Sequence, residues 1–312
     1  MPEYSVVSEN LTKKFGDFTA VDHVNFQIRP GEVYGFLGAN GAGKSTTIRM
    51  LCGLLEPTEG TANVGGFDIR EKPEKVKENI GYMSQRFSLY EDLTVEQNLN
   101  FFGGVYGLSN SELETQKGWV LEMAGLRDME KSVTRDLAGG WKQRLALGCA
   151  ILHKPRILFL DEPTSGIDPI MRRNFWELIN SLSEQGVTIL VTTHYLEEAE
   201  YCNDIMLINA GRIIATGTPH ELKTKHLPHP LLEVECTPFL EAVDLLQAQP
   251  WVRKVAVFGT YLHLTVDDEA EGRRILPLLL EEHGIALNRV DARIPSLEDV
   301  FIHLLEQEAA VL

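Results

Sequence analysis

The sequence predicts an α/β chain of two domains: a larger N-terminal domain on a parallel sheet with helices on both faces, then a small α+β domain. Three observations carry this. Near-continuous apolar strands (EVYGFL, RILFLDEP, VTILVTTH) alternate with segments of helical spacing (STTIRMLCGLL, MRRNFWELINSLSEQG), the pattern of strands buried on both faces. The 312 residues exceed the usual size of one domain. Charge is also uneven: residues 231–312 hold 15 Asp and Glu against 6 Lys and Arg, so that −9 of the net −16 sits in the last quarter of the chain.

Taken in order, YSVVSENLTKKF and FTAVDHVNFQI are β-rich pieces separated by Gly16-Asp17, which predicts an antiparallel hairpin or small sheet. EVYGFL, a glycine-rich loop and STTIRMLCGLL then read as strand, loop and helix. Residues 88–153 form a mostly helical stretch, in which Thr94 with Gln97 marks a capping box for VEQNLNFFGGVYG and a second helix begins near Gly140. RILFLDEP, a helix closed by Gly186, and VTILVTTH complete the first domain, placed at 1–219. Three prolines in PHELKTKHLPHP mark a last helix fragment and a linker at 220–230, whose His220, His226 and His229 lack regular metal-ligand spacing. Beyond it LLEVEC, PFLEAVDLLQAQ, VRKVAVFG, YLHLTVDD, EAEGRRILPLLLEEHG and RVDARI give βαββαβ over 231–312, a ferredoxin-like order, with a final helix from Ser296.

Composition narrows the function classes. No apolar run approaches the roughly 18 residues needed to cross a bilayer, and MPEYSVVSEN lacks the basic and apolar regions of a secretory signal, so a cytoplasmic protein is expected. Cys52, Cys149, Cys202 and Cys236 show no CxxC spacing, which predicts packed thiols without disulfides or zinc. A net charge of −16 with no basic stripe disfavours nucleic acid as a partner.

GANGAGKST, Gly38 to Thr46, fits G-x-x-x-x-G-K-[ST] after a strand and before a helix. Gly38, Gly41 and Gly43 let the backbone of Asn40, Ala42 and their neighbours curl so that N–H groups converge on phosphate oxygens, with the helix dipole behind them. Lys44 then supplies a mobile charge for the β and γ phosphates, and Ser45 a hydroxyl for Mg²⁺. ILFLDE ends a buried strand with Asp161, suited to hold Mg²⁺ through water, and Glu162, placed to deprotonate an attacking water. In LAGGWKQRLAL, Gly139 and Gly140 at a helix start offer bare N–H groups, a second anion site that needs no catalytic side chain.

GANGAGKST, Gln85 in GYMSQ, LAGGWKQRLAL, ILFLDEP, SGID and His194 of TTH follow the order of ATP-binding-cassette (ABC) ATPases, which residues 3–220 resemble. The resemblance implies a P-loop NTPase cassette of a mixed RecA-like sheet, an antiparallel β subdomain and a helical subdomain, using ATP and Mg²⁺. It implies adenine stacking on Phe15, phosphate binding by Thr46, and sensing of Mg²⁺ or water by Gln85. Glu162 resembles the catalytic base, His194 the switch histidine and Asp168 a residue of the loop that communicates across the dimer. Leu137, Ala138, Gly139 and Gly140 would cover the nucleotide of a second or related cassette, head to tail. Serine is usual where this chain has Ala138, so closure is expected to be weakened and hydrolysis slow; Trp141 has no explanation from sequence.

P-loop kinases and GTPases lack the LAGG segment. ABC ATPases of DNA repair or translation are the alternative class, disfavoured by the missing coiled coil, the single P-loop and the acidic charge. EVYGFLGANGAGKSTT and the closing PSLEDVFIHLL look most like ABC-2-type exporters of drugs, lipids or polysaccharides. That resemblance implies integral-membrane permease subunits as partners, which would hold the chain on the cytoplasmic face of the inner or plasma membrane. The aromatics Phe87, Tyr90, Phe101, Phe102 and Tyr106 would line the groove for a permease helix. For the C-terminal domain, a dimerisation element and a regulatory cap both fit.

Overall fold

The structure, a computed structural model, describes residues 3–85, 89–227, 229–293 and 295–311. The chain forms two compact units, Met1–Pro219 and His220–Leu312. In the first, β1 (Val6–Phe15) and β2 (Phe18–Ile28) make an antiparallel hairpin that turns at Gly16, whose φ of +57° suits glycine. β3 (Val33–Leu37), buried along its whole length, leads through the glycine loop into α1 (Lys44–Leu51). β4 (Glu59–Val64) and β5 (Phe67–Asp68) extend the hairpin into the expected antiparallel sheet, of order β2-β1-β4-β5, although neither strand is marked in the sequence.

α2 (Pro73–Asn79) and β6 (Ile80–Met83) precede the helical stretch of α3 (Val95–Val105), α4 (Asn110–Met123) and α5 (Gly139–Ile151). The expected capping box is present: Gln97 N–H donates to Thr94 Oγ1 (3.2 Å) and Thr94 N–H to Gln97 Oε1 (2.9 Å). Ser109 and Glu112 repeat it at α4.

β7 (Ile157–Asp161), α6 (Pro169–Glu184), β8 (Thr188–Thr193), β9 (Asp204–Asn209) and β10 (Arg212–Gly217) complete the main sheet, ordered β10-β9-β3-β8-β7-β6. Pairing is parallel from β9 to β6, and only the edge strand β10 is antiparallel. Every residue of β3, β7 and β8 is buried, as the apolar runs require of strands covered on both faces. Parallel pairing also brings the C-terminal ends of β3, β6, β7 and β8 to one edge. The segments Gly38–Gly43, Gln85, Asp161–Glu162 and His194 all emerge there.

In the second unit, α7 (Pro219–His226) occupies most of the stretch read as linker. β11 (Leu231–Thr237), α8 (Phe239–Gln247), β12 (Val252–Phe258), β13 (Tyr261–Val266), α9 (Glu269–Glu282) and β14 (Ala286–Arg293) form an antiparallel sheet of order β12-β13-β11-β14 over a core that includes Leu246, Leu264 and Leu276. α10 (Leu297–Val311) follows, with Ser296 Oγ accepting from Asp299 N–H (3.2 Å) at its start. All four cysteines are buried and free.

Candidate active site

The loop after β3 is shaped by close approaches that only glycine permits. A Cβ on Gly38 would lie 2.3 Å from the Ile208 carbonyl oxygen, and one on Gly43, whose φ is +107°, 2.5 Å from that of Ala20 on β2. At Gly41, φ +81°, nothing lies within 4 Å, so the loop is packed beneath and open above. Asn40 is exposed, Ala42 buried, and Thr46 half-buried on the first turn of α1. Lys44 folds back over the loop, donating to the Gly38 (2.8 Å) and Ala39 (3.1 Å) carbonyls. Burial pushes its pKa down, opposed by the carboxylates of Glu162 and Asp161.

Asp161, at the end of β7, is 3% exposed; its Oδ1 accepts from Ser45 Oγ (2.9 Å) and Thr192 Oγ1 (2.7 Å). Burial raises its pKa, while the two hydroxyls oppose the rise. Glu162 is the meeting point. Lys44 Nζ lies 3.5 Å from its Oε1, Gln85 Nε2 donates to its Oε2 (2.9 Å), and His194 Nδ1 stands 3.4 Å from that oxygen without a hydrogen-bonded partner. Its own N–H donates to the Thr192 carbonyl (3.1 Å) and to Thr192 Oγ1 (2.9 Å).

This donor set fits a polyphosphate with a divalent cation. Lys44 can leave two carbonyls for phosphate oxygens, the open side of Gly41 leaves room for them, and Ser45 with Asp161 sets a hydroxyl and a carboxylate together at the rim.

The other expected residues are elsewhere. Phe15, 50% exposed at the hairpin turn, has Lys13 Nζ 5.4 Å from its ring centre. Leu137 is buried, Ala138 and Gly139 are exposed, and Gly140 is packed so that a Cβ would meet Met171 Cε at 2.7 Å. Among the described residues no hydrogen bond or ion pair joins Leu137–Gly140 to Lys44, Ser45, Asp161 or Glu162. Asp168 caps α6, accepting from the N–H groups of Ile170 (3.1 Å) and Met171 (3.0 Å). Trp141 now has a local setting: Arg144 lies over its ring at 5.1 Å and donates to the Ala124 carbonyl (3.0 Å), tying α5 to the end of α4. Of the aromatic group, Tyr90 packs edge-on against Phe101 (4.5 Å) and both are exposed; Phe102 and Tyr106 border a small depression with Tyr82 and Leu89; Phe87 lies outside the described residues.

Sequence reasoning missed Thr192, which grips both carboxylate residues, although it stands in the quoted TTH. It also missed a buried cluster. Thr164 Oγ1 donates to Glu198 Oε1 (2.6 Å) with Arg172 Nε 3.4 Å away, linking the segments after Glu162 and after His194. Gln143 Nε2 donates to the Ser165 carbonyl (3.0 Å), joining α5 to the first of these.

Comparison with known proteins places this geometry. The ABC transporter family model matches residues 21–165, and the C-terminal domain model of DrrA1-3-like ATP-binding proteins matches 217–305. The linearmycin resistance ATP-binding protein LnrL of Bacillus subtilis is 36% identical over 95% of this chain and 97% of its own length. The chain belongs to the ATP-binding proteins of ABC transporters. The chain is also 53% identical, over 74% of its length, to the probable multidrug ABC transporter ATP-binding protein YbhF of Escherichia coli; that match spans 41% of the relative's length. Among solved structures, a dimeric ATP-binding cassette in a post-hydrolysis state, bound to ADP and Pi, superposes with a TM-score of 0.63 at 28% identity, covering 68% of this chain and 98% of the other. The fold is therefore that of an ABC ATPase cassette, with the antiparallel sheet and helical stretch as its subdomains.

Proposed function

We propose that the chain hydrolyses ATP as one cassette of a head-to-tail dimer and thereby drives a separate membrane permease in export. The observation that supports hydrolysis best is the convergence of Lys44, Gln85 and His194 on Glu162 from three separated segments. In this reading the loop N–H groups and Lys44 hold the phosphates, with Thr46 beside them and Phe15 stacking on adenine. When bound, Mg²⁺ supplies positive charge to the phosphate oxygens, held by Ser45, Asp161 and Gln85. Glu162 takes a proton from the attacking water, Gln85 fixes the orientation of its carboxylate, and His194 donates toward the γ-phosphate.

The N–H groups at Gly139 and Gly140 serve the nucleotide of a facing copy, or of a related cassette, which accounts for a helix start free of bonds to its own site. Asp168 would relay closure between copies while capping α6. Export, and permease docking at the exposed Tyr90 and Phe101, draw support from the multidrug and resistance relatives; no helix among the described residues is long and apolar enough to cross a membrane, so the membrane-spanning path would be the permease's. That docking would hold the chain at the cytoplasmic face of the membrane.

Glu162→Gln tests the reading. Turnover should fall by about 10²- to 10⁴-fold with ATP binding kept, and dimers should accumulate in light scattering at saturating Mg-ATP. Wild-type turnover in this variant, or a species that stays monomeric alone and beside its companion chains, would overturn it. Purification from detergent extract should bring a multi-spanning protein with the chain; its absence would sink the transporter part.

A further inference from the structure

The sheet of the second unit has two unlike faces. Alternation along β13 sends Leu262, Leu264 and Val266 into the core under α8 and α9, and therefore His263 and Thr265 to the opposite face. Register sets Ala256 of β12 and Glu233 of β11 on either side of His263. A face without helices is ordinarily wet, yet His263 is only 3% exposed. Residues from α10 and from the end of α7 stand over this face and enclose a cavity of about 730 Å³, within the 300–1,000 Å³ range of small-molecule sites.

The cavity's chemistry is one-sided. Its apolar wall includes Val257, Phe258 and Ile302, each more than 40% exposed. Its carboxylates are committed: Glu306 accepts from Lys254 at 2.6 and 2.7 Å, and Asp299 from Ser296 N–H and Oγ at 2.8 and 2.7 Å. Lys225, also on the lining, has no hydrogen bond or ion pair among the described residues.

His263 adds a second donor. Arg293 Nη1 lies 2.8 Å from its Nε2 and 2.9 Å from Glu233 Oε2. Glu233 Oε2 also lies 3.2 Å from Nε2: a neutral ring that accepts from the Arg293 guanidinium at Nε2 keeps its proton on Nδ1, and an imidazolium that donates from Nε2 to Glu233 carries Nδ1–H as well. That Nδ1–H is buried with no partner, under the stacked ring of Phe258 at 4.8 Å. An orphaned buried donor is rare because it costs the hydration it has lost. Metal binding does not account for the imidazoles here, since no group of three or more His, Cys, Asp or Glu among the described residues could hold an ion.

We propose that this cavity binds a flat aromatic amphiphile with an anionic oxygen head, of the class of a two- or three-ring aromatic carboxylate, its rings against Phe258 and Ile302 and its head toward the donors His263 and Lys225. The site is separate from the nucleotide site and does not depend on the ATPase reading.

Titration calorimetry on the full chain with 2-naphthoate, and with 2-naphthylmethylammonium as the charge-reversed probe, tests it. The carboxylate should bind one-to-one and at least tenfold more tightly than the ammonium. His263→Phe, which keeps a flat ring and removes the donor, should weaken the carboxylate at least tenfold, and Ile302→Glu, at an exposed position, should do the same by charge. Absence of saturable 2-naphthoate binding, equal binding of both probes, or unchanged affinity in Ile302→Glu would overturn the proposal. If His263→Phe melts early, the probe comparison and Ile302→Glu still decide.

Discussion

Replacing Ala138 with serine should raise both the stability of the cassette and its turnover, and the two effects can be separated. Ala138 is the N-cap of α5, with φ −61° and ψ 153° and no side-chain hydrogen bond to the first turn. A serine side chain can cap the first-turn N–H groups, which an alanine cannot, a gain of about 1 kcal/mol, or roughly 2–4 °C in the melting temperature of a unit this size. The hydroxyl proton stays free to donate to an anionic phosphate oxygen presented by a facing copy. Hydrogen bonds to charged groups contribute about 1.5–3 kcal/mol, and at about 1.4 kcal/mol per decade kcat/KM should rise on the order of tenfold to a hundredfold. Ala138→Gly is the control, since glycine improves the cap slightly but carries no hydroxyl. Thermal melts and phosphate release on the three proteins give the answer. A serine variant that melts higher but turns over more slowly refutes the hydroxyl argument, as does a glycine variant as fast as the serine one.

Gly38→Ala should abolish ATP binding, because the new methyl meets the Ile208 backbone at 2.3 Å; Gly41→Ala should cost only its left-handed backbone, about 1–2 kcal/mol, and bind within tenfold of wild type in a nucleotide titration. Thr192→Val should cost about 1–3 kcal/mol in urea unfolding by leaving Asp161 one donor short, and should lower turnover more than ATP affinity, with Thr192→Ser restoring both. His153, stacked on Tyr106 at 3.8 Å, donates from Nε2 to the Ile80 carbonyl (3.0 Å), and burial holds its pKa below the usual 6.5. The unfolded chain takes up that proton first, so this contribution is complete above pH 6.5 and is lost as pH falls from there through the lowered folded value. His153→Phe should therefore show a shallower acid limb in pH-dependent melts; limbs that run parallel would contradict this.

What the sequence disclosed was whatever is written locally. The strands β3, β7 and β8 announce themselves as unbroken apolar runs, and the phosphate loop as glycines at fixed offsets from Lys44. β4 and β5 escaped because EGTANV and FD are short, polar and flanked by glycine, and are held by pairing with β1 some fifty residues earlier. The same limit governs the site. Lys44, Gln85 and His194 each stand out in the sequence, but that all three point at one carboxylate is a fact of strand order. Thr192 and Glu198 act through bonds to residues about thirty positions away, and no local pattern encodes those partners.

The paired acids at the end of β7 show why the strand must break where it does. In an extended strand, successive side chains point to opposite faces, so Asp161 and Glu162 could not both face the loop after β3 if β7 simply continued. Glu162 instead takes φ +50°, a left-handed conformation that costs a non-glycine residue about 1 kcal/mol or more. The bend lets Asp161 meet Ser45 while Glu162 meets Lys44, the residue before Ser45 at the start of α1. Thr192 holds the bend from the neighbouring strand, since Glu162 N–H, at the end of the β7–β8 ladder, donates to both the carbonyl and the hydroxyl of that single residue. The strain is thus confined to one residue, which is also the one that gathers the remaining polar groups of the site.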